Sequence, residues 1–100
     1  MKRTFEVTFE LNDEEISEGI IELDQKVIDQ VDDEWRSFFY KSIDTPEKIA
    51  SMIARCMCVF NSSLSDIDGF ADLDDSMAKM IDWPTGLDDF MVTAKEIKEK

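Results

Sequence analysis

Histidine is absent from this chain. That removes the side chain most often used as a general base near neutral pH and as a zinc ligand. Only two cysteines occur, Cys56 and Cys58. Two positions apart on a helix, they point about 200° away from each other, which excludes an ordinary disulfide between them. No further Cys or His completes a zinc set. One core thiol and one near-surface thiol of a reduced protein, cytoplasmic in a bacterial host, is the expectation. With three glycines and two prolines, the chain has no glycine-rich phosphate loop, internal repeat or low-complexity tract. No apolar run approaches about 20 residues, and Glu6 and Glu10 interrupt the segment that follows Lys2 and Arg3. Neither a membrane span nor a secretory signal is expected. Carboxylates are plentiful, but nothing marks one pair as the buried, pKa-shifted couple that acid–base catalysis needs. No enzyme activity, catalytic residue, metal or cofactor is therefore assigned.

What the chain does contain is negative charge: 24 acidic residues against 11 basic ones, a net charge of −13. Residues 10–35 carry eleven carboxylates against Lys26 alone, and residues 61–90 carry eight against Lys79 alone. Residues 36–60 are slightly basic, through Arg36, Lys41, Lys48 and Arg55. Such a chain repels nucleic acid and is drawn to basic surfaces, so direct nucleic-acid binding is disfavoured. A disordered acidic tail would need low hydrophobicity as well, whereas 43% of these residues are apolar and 10% aromatic. One folded acidic domain over residues 1–100 is expected.

Residues 4–11 alternate strictly, with Phe5, Val7, Phe9 and Leu11 on one side and Thr4, Glu6, Thr8 and Glu10 on the other. This predicts a half-buried strand, ended by Asn12 and Asp13 as caps of a following helix. From Glu14 to about Tyr40, Ile16, Ile20, Leu23, Val27, Val31, Trp35 and Phe38 recur at steps of three or four, sharing an arc with Ile21, Ile28 and Phe39. Gly19 and Asp24 interrupt that pattern, so the reading is a short first helix and a longer one capped by Asp24. Thr45-Pro46-Glu47 starts another helix through residue 60, closed by Asn61-Ser62-Ser63. Its apolar face is Ile49, Met52, Ile53, Cys56, Met57, Val59 and Phe60. Residues 65–69 read as a turn, Asp75-Ser76 as the cap of a short helix through Ile81, and Trp83-Pro84-Thr85-Gly86 as a break. The tail is ambiguous between a helix (Leu87, Phe90, Met91, Ala94, Ile97) and a strand. The first strand needs a partner, which favours a strand over residues 89–97 antiparallel to it. A helical tail, with the first strand pairing across a dimer, is the alternative.

On the predicted helix, Glu14, Glu15, Glu18, Glu22, Asp29, Asp32 and Asp33 fall within about 100° of arc opposite the apolar face. Neighbours three or four apart sit ~5–6 Å from each other, a spacing of the order of phosphates along one nucleic-acid strand. Exposed helices usually mix Glu with Lys at that spacing, because like pairs are destabilising. Asp66, Asp68, Asp72, Asp74 and Asp75 surround Gly69 in a second acidic run. Aligned on an EF-hand loop, this run puts Leu64 at the first ligand position and Asp75 at the last, a near miss for calcium. A capped loop that sets Phe70 and Leu73 in the core is the preferred reading.

Asp33-Glu34-Trp35-Arg36, Thr45-Pro46-Glu47-Lys48-Ile49-Ala50 and Leu64-Ser65-Asp66-Ile67-Asp68-Gly69-Phe70-Ala71-Asp72 resemble stretches in small uncharacterised acidic bacteriophage and prophage proteins. The resemblance implies a phage setting, in which small acidic proteins inhibit host defence as anti-restriction and anti-CRISPR proteins do, some by mimicking nucleic acid. It carries over no binding residues.

The expected fold is α+β: a small two-stranded antiparallel sheet from the N- and C-terminal segments, packed against two or three helices drawn from residues 13–60. The expected function is non-enzymatic binding. The stripe on residues 14–33, with Asp66, Asp68, Asp72, Asp74 and Asp75, would face a basic nucleic-acid-binding protein or complex. The alternative is an adaptor or homodimer that uses apolar surface at Met77, Met80 and Trp83 and a free strand edge.

Overall fold

A computed structural model describes residues 2–11, 14–60, 62–67, 69–82 and 91–97. Among them a four-stranded antiparallel sheet carries its helices on one face. The strands are β1 (Lys2–Leu11), β2 (Glu14–Asp24), β3 (Ala78–Asp82) and β4 (Met91–Ile97), in the spatial order β3-β2-β1-β4. The class is α+β, as the sequence predicts, but the sheet has four strands, not two. The expected pairing of the first and last segments is present. β4 runs antiparallel to β1, with Val7 opposite Ala94 and Phe9 opposite Val92.

The largest departure is at residues 14–24, which form a strand where the periodicity predicts a helix. Asn12 and Asp13, expected to cap that helix, lie outside the described residues. The physical reason lies in two overlapping patterns. Ile16, Ile20 and Leu23 satisfy a helical period, but Gly19, Ile21 and Leu23 also alternate with Glu18, Ile20 and Glu22. In the strand, Ile21 stands opposite Phe5 and Gly19 opposite Val7. Both isoleucine and phenylalanine are fully buried there, and the long β1 gains hydrogen-bonding partners on both edges. Between Phe9 and Glu10 the register slips by one, and Ile16 is the extra residue on β2.

Three helices follow: α1 (Gln25–Gln30), α2 (Asp33–Phe38) and α3 (Pro46–Val59). Asp24 caps α1 as expected, its carboxylate accepting from the backbone N–H of Lys26 at 2.9 Å. The predicted long helix to Tyr40 is broken at Val31 and Asp32, because Asp32 turns its carboxylate back to the N–H of Trp35 at 2.8 Å and starts α2. Thr45 caps α3 in the same way, with Pro46 in the first turn. Ile49, Ala50, Ile53, Ala54 and Met57 of α3 then pack over β4 and β1 against Phe5, Val7 and Phe9. Each large side chain so buried contributes about 1.5–3 kcal/mol relative to exposure.

Residues 64–82 close the structure. A 3-10 turn at Leu64–Asp66 carries a capping box between Ser63 and Asp66. Leu64, Ile67 and Phe70 are buried, and Leu73 packs against the core in part. The helix predicted from Asp75 through Ile81 is instead a 3-10 turn at Asp75–Met77 leading into β3. There Ala78 and Met80 bury against Leu23 and Ile21. The predicted break at Trp83-Pro84-Thr85-Gly86 lies outside the described residues.

Candidate functional site

The predicted acidic stripe does not exist as one row. Its residues divide between the sheet and the helices. On β2, Glu18 and Glu22 stand opposite Thr8 and Thr4, on the sheet face away from the helices, and Glu15 pairs in register with Glu10. Glu14, opposite Leu11, belongs to the other face by alternation. The outer face is also not purely acidic. Lys79 stands opposite Glu22, Lys95 opposite Glu6, and the Lys2 ammonium lies 3.8 Å from Glu22. Cross-strand pairs of opposite charge belong to an ordinary solvated sheet face.

Asp29 and Asp33 stay on helices, Asp32 caps α2, and Glu34 joins them, all four exposed on the corner between α1 and α2. Tertiary contacts bring this corner against the second acidic run. Gln30 donates from Nε2 to the Gly69 carbonyl oxygen at 3.2 Å and to Asp72 Oδ1 at 3.1 Å. The Trp35 indole N–H donates to the same Gly69 oxygen at 3.1 Å. Asp66, Asp72, Asp74 and Asp75 are exposed on the loop so tethered; Asp68 lies outside the described residues. Lys26 and Arg36 are the cations on α1 and α2. Arg36 is engaged internally, donating from Nη1 to the Val31 carbonyl oxygen at 3.4 Å and pairing through Nη2 with Asp33.

Several carboxylates in these runs are shaped by local hydrogen bonds. The Asp74 carboxylate accepts from the Ser76 N–H at 2.8 Å, which holds its carboxyl below the usual aspartate range. Asp24 is lowered for the same reason, by the Lys26 N–H. Asp66 accepts from Ser63, and Asp75 from the Ser65 N–H at 2.8 Å. The calcium-like spacing of these acids thus serves to close the loop. Among the described residues no three Cys, Asp or Glu side chains are gathered as a metal set.

Beside the acidic corner, sequence reasoning missed an aromatic surface. Phe38 and Phe39, expected on the buried arc, are 81% and 42% exposed, and Tyr40 is exposed with them. Three consecutive aromatics cannot all share one helix face, and that is the signal available in the sequence. Phe60, expected on the buried face of α3, lies past its end and is exposed, with the Arg55 guanidinium 5.1 Å from its ring centre. The alternative apolar surface is also revised. Met80 is a core residue, Met77 is half-buried, and Trp83 lies outside the described residues. Both cysteines are half-buried, where one core and one surface thiol were expected. Burial pushes the Cys56 thiol up and that of Cys58 up to about 11, which disfavours a reactive thiolate.

No helix among the described residues is long and apolar enough to cross a membrane. The fold and surface define an acidic α+β protein in which Gly69 and Asp72 of the loop are tied to a carboxylate-rich helical corner edged by exposed aromatics. No protein-family model, curated protein or solved structure matches the chain.

Proposed function

We propose that this is a non-enzymatic acidic binding protein that occupies the basic groove of a nucleic-acid-binding protein in place of nucleic acid. The observation that supports the reading is the joining of Asp29, Asp32, Asp33 and Glu34 to the Asp66–Asp75 loop through Gln30 and Trp35. The second acidic run is thereby tied to the helical corner at Asp72, while the outer sheet face carries its own lysines. A fixed array of carboxylates attracts a basic groove without the cost of ordering a flexible tail. The phage resemblance makes a host defence protein the natural target, and the bacterial cytoplasm the place of meeting.

The test is a pull-down from nuclease-treated bacterial lysate, with the bound protein challenged by duplex DNA and by salt. Captured protein should be released by either. It should also be lost by the triple variant Asp29→Lys, Asp33→Lys, Glu34→Lys but kept by Glu6→Lys, Glu18→Lys. Retention by the triple variant, or indifference to DNA, sinks the mimicry reading. Exposed Phe38, Phe39 and Phe60 favour a second reading, an adaptor or homodimer held by apolar contact. Sedimentation showing a salt-resistant dimer that dissociates on Phe38→Ala would support it.

A further inference from the structure

An open groove lies where the acidic corner meets the exposed aromatics, lined by Gln30, Asp32, Glu34, Trp35, Phe38 and Phe39. Its chemistry is one-sided. The Trp35 N–H is spent on the Gly69 carbonyl, and the Gln30 amide nitrogen on Gly69 and Asp72. The remaining polar groups of the lining side chains are acceptors: the Gln30 amide oxygen and the carboxylates of Asp32 and Glu34. The Asp32 carboxylate gives one oxygen to the Trp35 backbone N–H. The walls are aromatic, with the Trp35 and Phe39 ring centres 5.2 Å apart and those of Phe38 and Phe39 5.7 Å apart. The neighbouring cation, Arg36, is held by Asp33 and the Val31 carbonyl.

A site whose free side-chain polar groups are all acceptors, two of them carboxylates, set among flat apolar faces disfavours phosphates and carboxylates. It fits a group that only donates, is cationic, and has a planar face to lay on a ring. Guanidinium meets all three conditions, whereas an ammonium group lacks the planar face. The fold already contains one such contact, Arg55 over Phe60. We propose that this groove receives an arginine side chain from the partner's basic surface, with the guanidinium stacked on Phe38 and paired with Asp32 and Glu34. This rests on the reading of the protein as a binder of basic grooves and names the subsite that makes it selective for arginine over lysine.

The test measures anisotropy of fluorescein-labelled oligo-arginine and oligo-lysine peptides of equal length, at low salt and at about 0.15 M salt. The wild-type chain should bind the arginine peptide more tightly. Phe38→Ala should weaken that binding about two- to five-fold and leave the lysine peptide unchanged. Phe38 is so exposed that its truncation leaves the fold intact, checked by circular dichroism, and Phe60→Ala serves as the control. Glu34→Gln should lower the arginine preference in the same direction. If both peptides bind equally, or Phe38→Ala is silent, the arginine subsite is wrong; salt-sensitive binding of both would still leave the charge-mimic reading standing. If neither peptide binds at low salt, both ideas fall.

Discussion

Trp35 and Gly69 hold the acidic end together: the indole N–H donates to the glycine carbonyl oxygen at 3.1 Å, and the ring lies against the glycine Cα. Gly69 has φ +95°, a backbone conformation that L side chains rarely adopt. A Cβ built there would collide with the indole. The contact therefore depends on the identity of both residues, and it joins α2 to a loop thirty-four positions away.

Gly69→Ala should thus be costly for two separate reasons, backbone strain and overlap with Trp35. Together they amount to about 2–4 kcal/mol. For a chain of this size that is a fall in Tm of about 10–20 °C, measured by thermal or urea denaturation. A loss below about 0.5 kcal/mol would mean that loop and indole separate freely, and the joined acidic surface would lose its anchor.

Arg3 and Glu96 make a second long-range link, with Nε–Oε2 at 2.6 Å and Nη2–Oε1 at 2.7 Å. The two-pronged pair fastens β4 to β1, and the hydrogen bond to Glu96 raises the Arg3 pKa further. Both side chains are mostly covered, though solvent at the sheet rim screens part of the attraction. A double-mutant cycle with Arg3→Met and Glu96→Gln should return a coupling of about 1–2 kcal/mol. Coupling within about 0.3 kcal/mol of zero would show that the pair is incidental to strand docking.

Two cap aspartates and an ion-paired one contribute to the acid side of the stability profile. Asp24 and Asp74 accept backbone N–H groups, and Asp44 accepts from the Lys48 ammonium at 2.8 Å; each carboxyl is held below its ordinary value of 3.8. A group with a lower pKa folded than unfolded adds stability above the unfolded value. It gives that stability up as pH falls through the folded one. Loss should therefore begin near pH 3.8 and continue below it. Carbon-detected NMR titration should find all three midpoints under 3.8. Asp24→Asn, which can still cap, should flatten its share of the decline. Midpoints at or above 3.8 would remove the cap bonds as its cause.

Much of the fold is legible in local sequence. Strict alternation marks β1, and the Thr45-Pro46-Glu47 start marks α3. Asp24 is recognisable as a cap, and the need of β1 for a neighbour leads to β4. Strong net charge and the two acidic runs are properties of composition, independent of folding. The state of residues 14–24 was not decided locally, because their apolar residues fit both a helix and a strand. Only burial of Ile21 and Leu23 beside β1 separates the two.

That choice rearranges the candidate surface. As a strand, β2 sends Glu14 to one face and Glu18 and Glu22 to the other, among the lysines of neighbouring strands. Asp29 and Asp33 remain on helices, Asp32 caps α2, and this corner gains the Asp72 loop through Gln30. The sequence by itself determined how much negative charge the protein carries and which short segments hold it. Tertiary structure alone decided which carboxylates stand together, because strand pairing and a glycine packed under an indole act between residues that no local pattern relates.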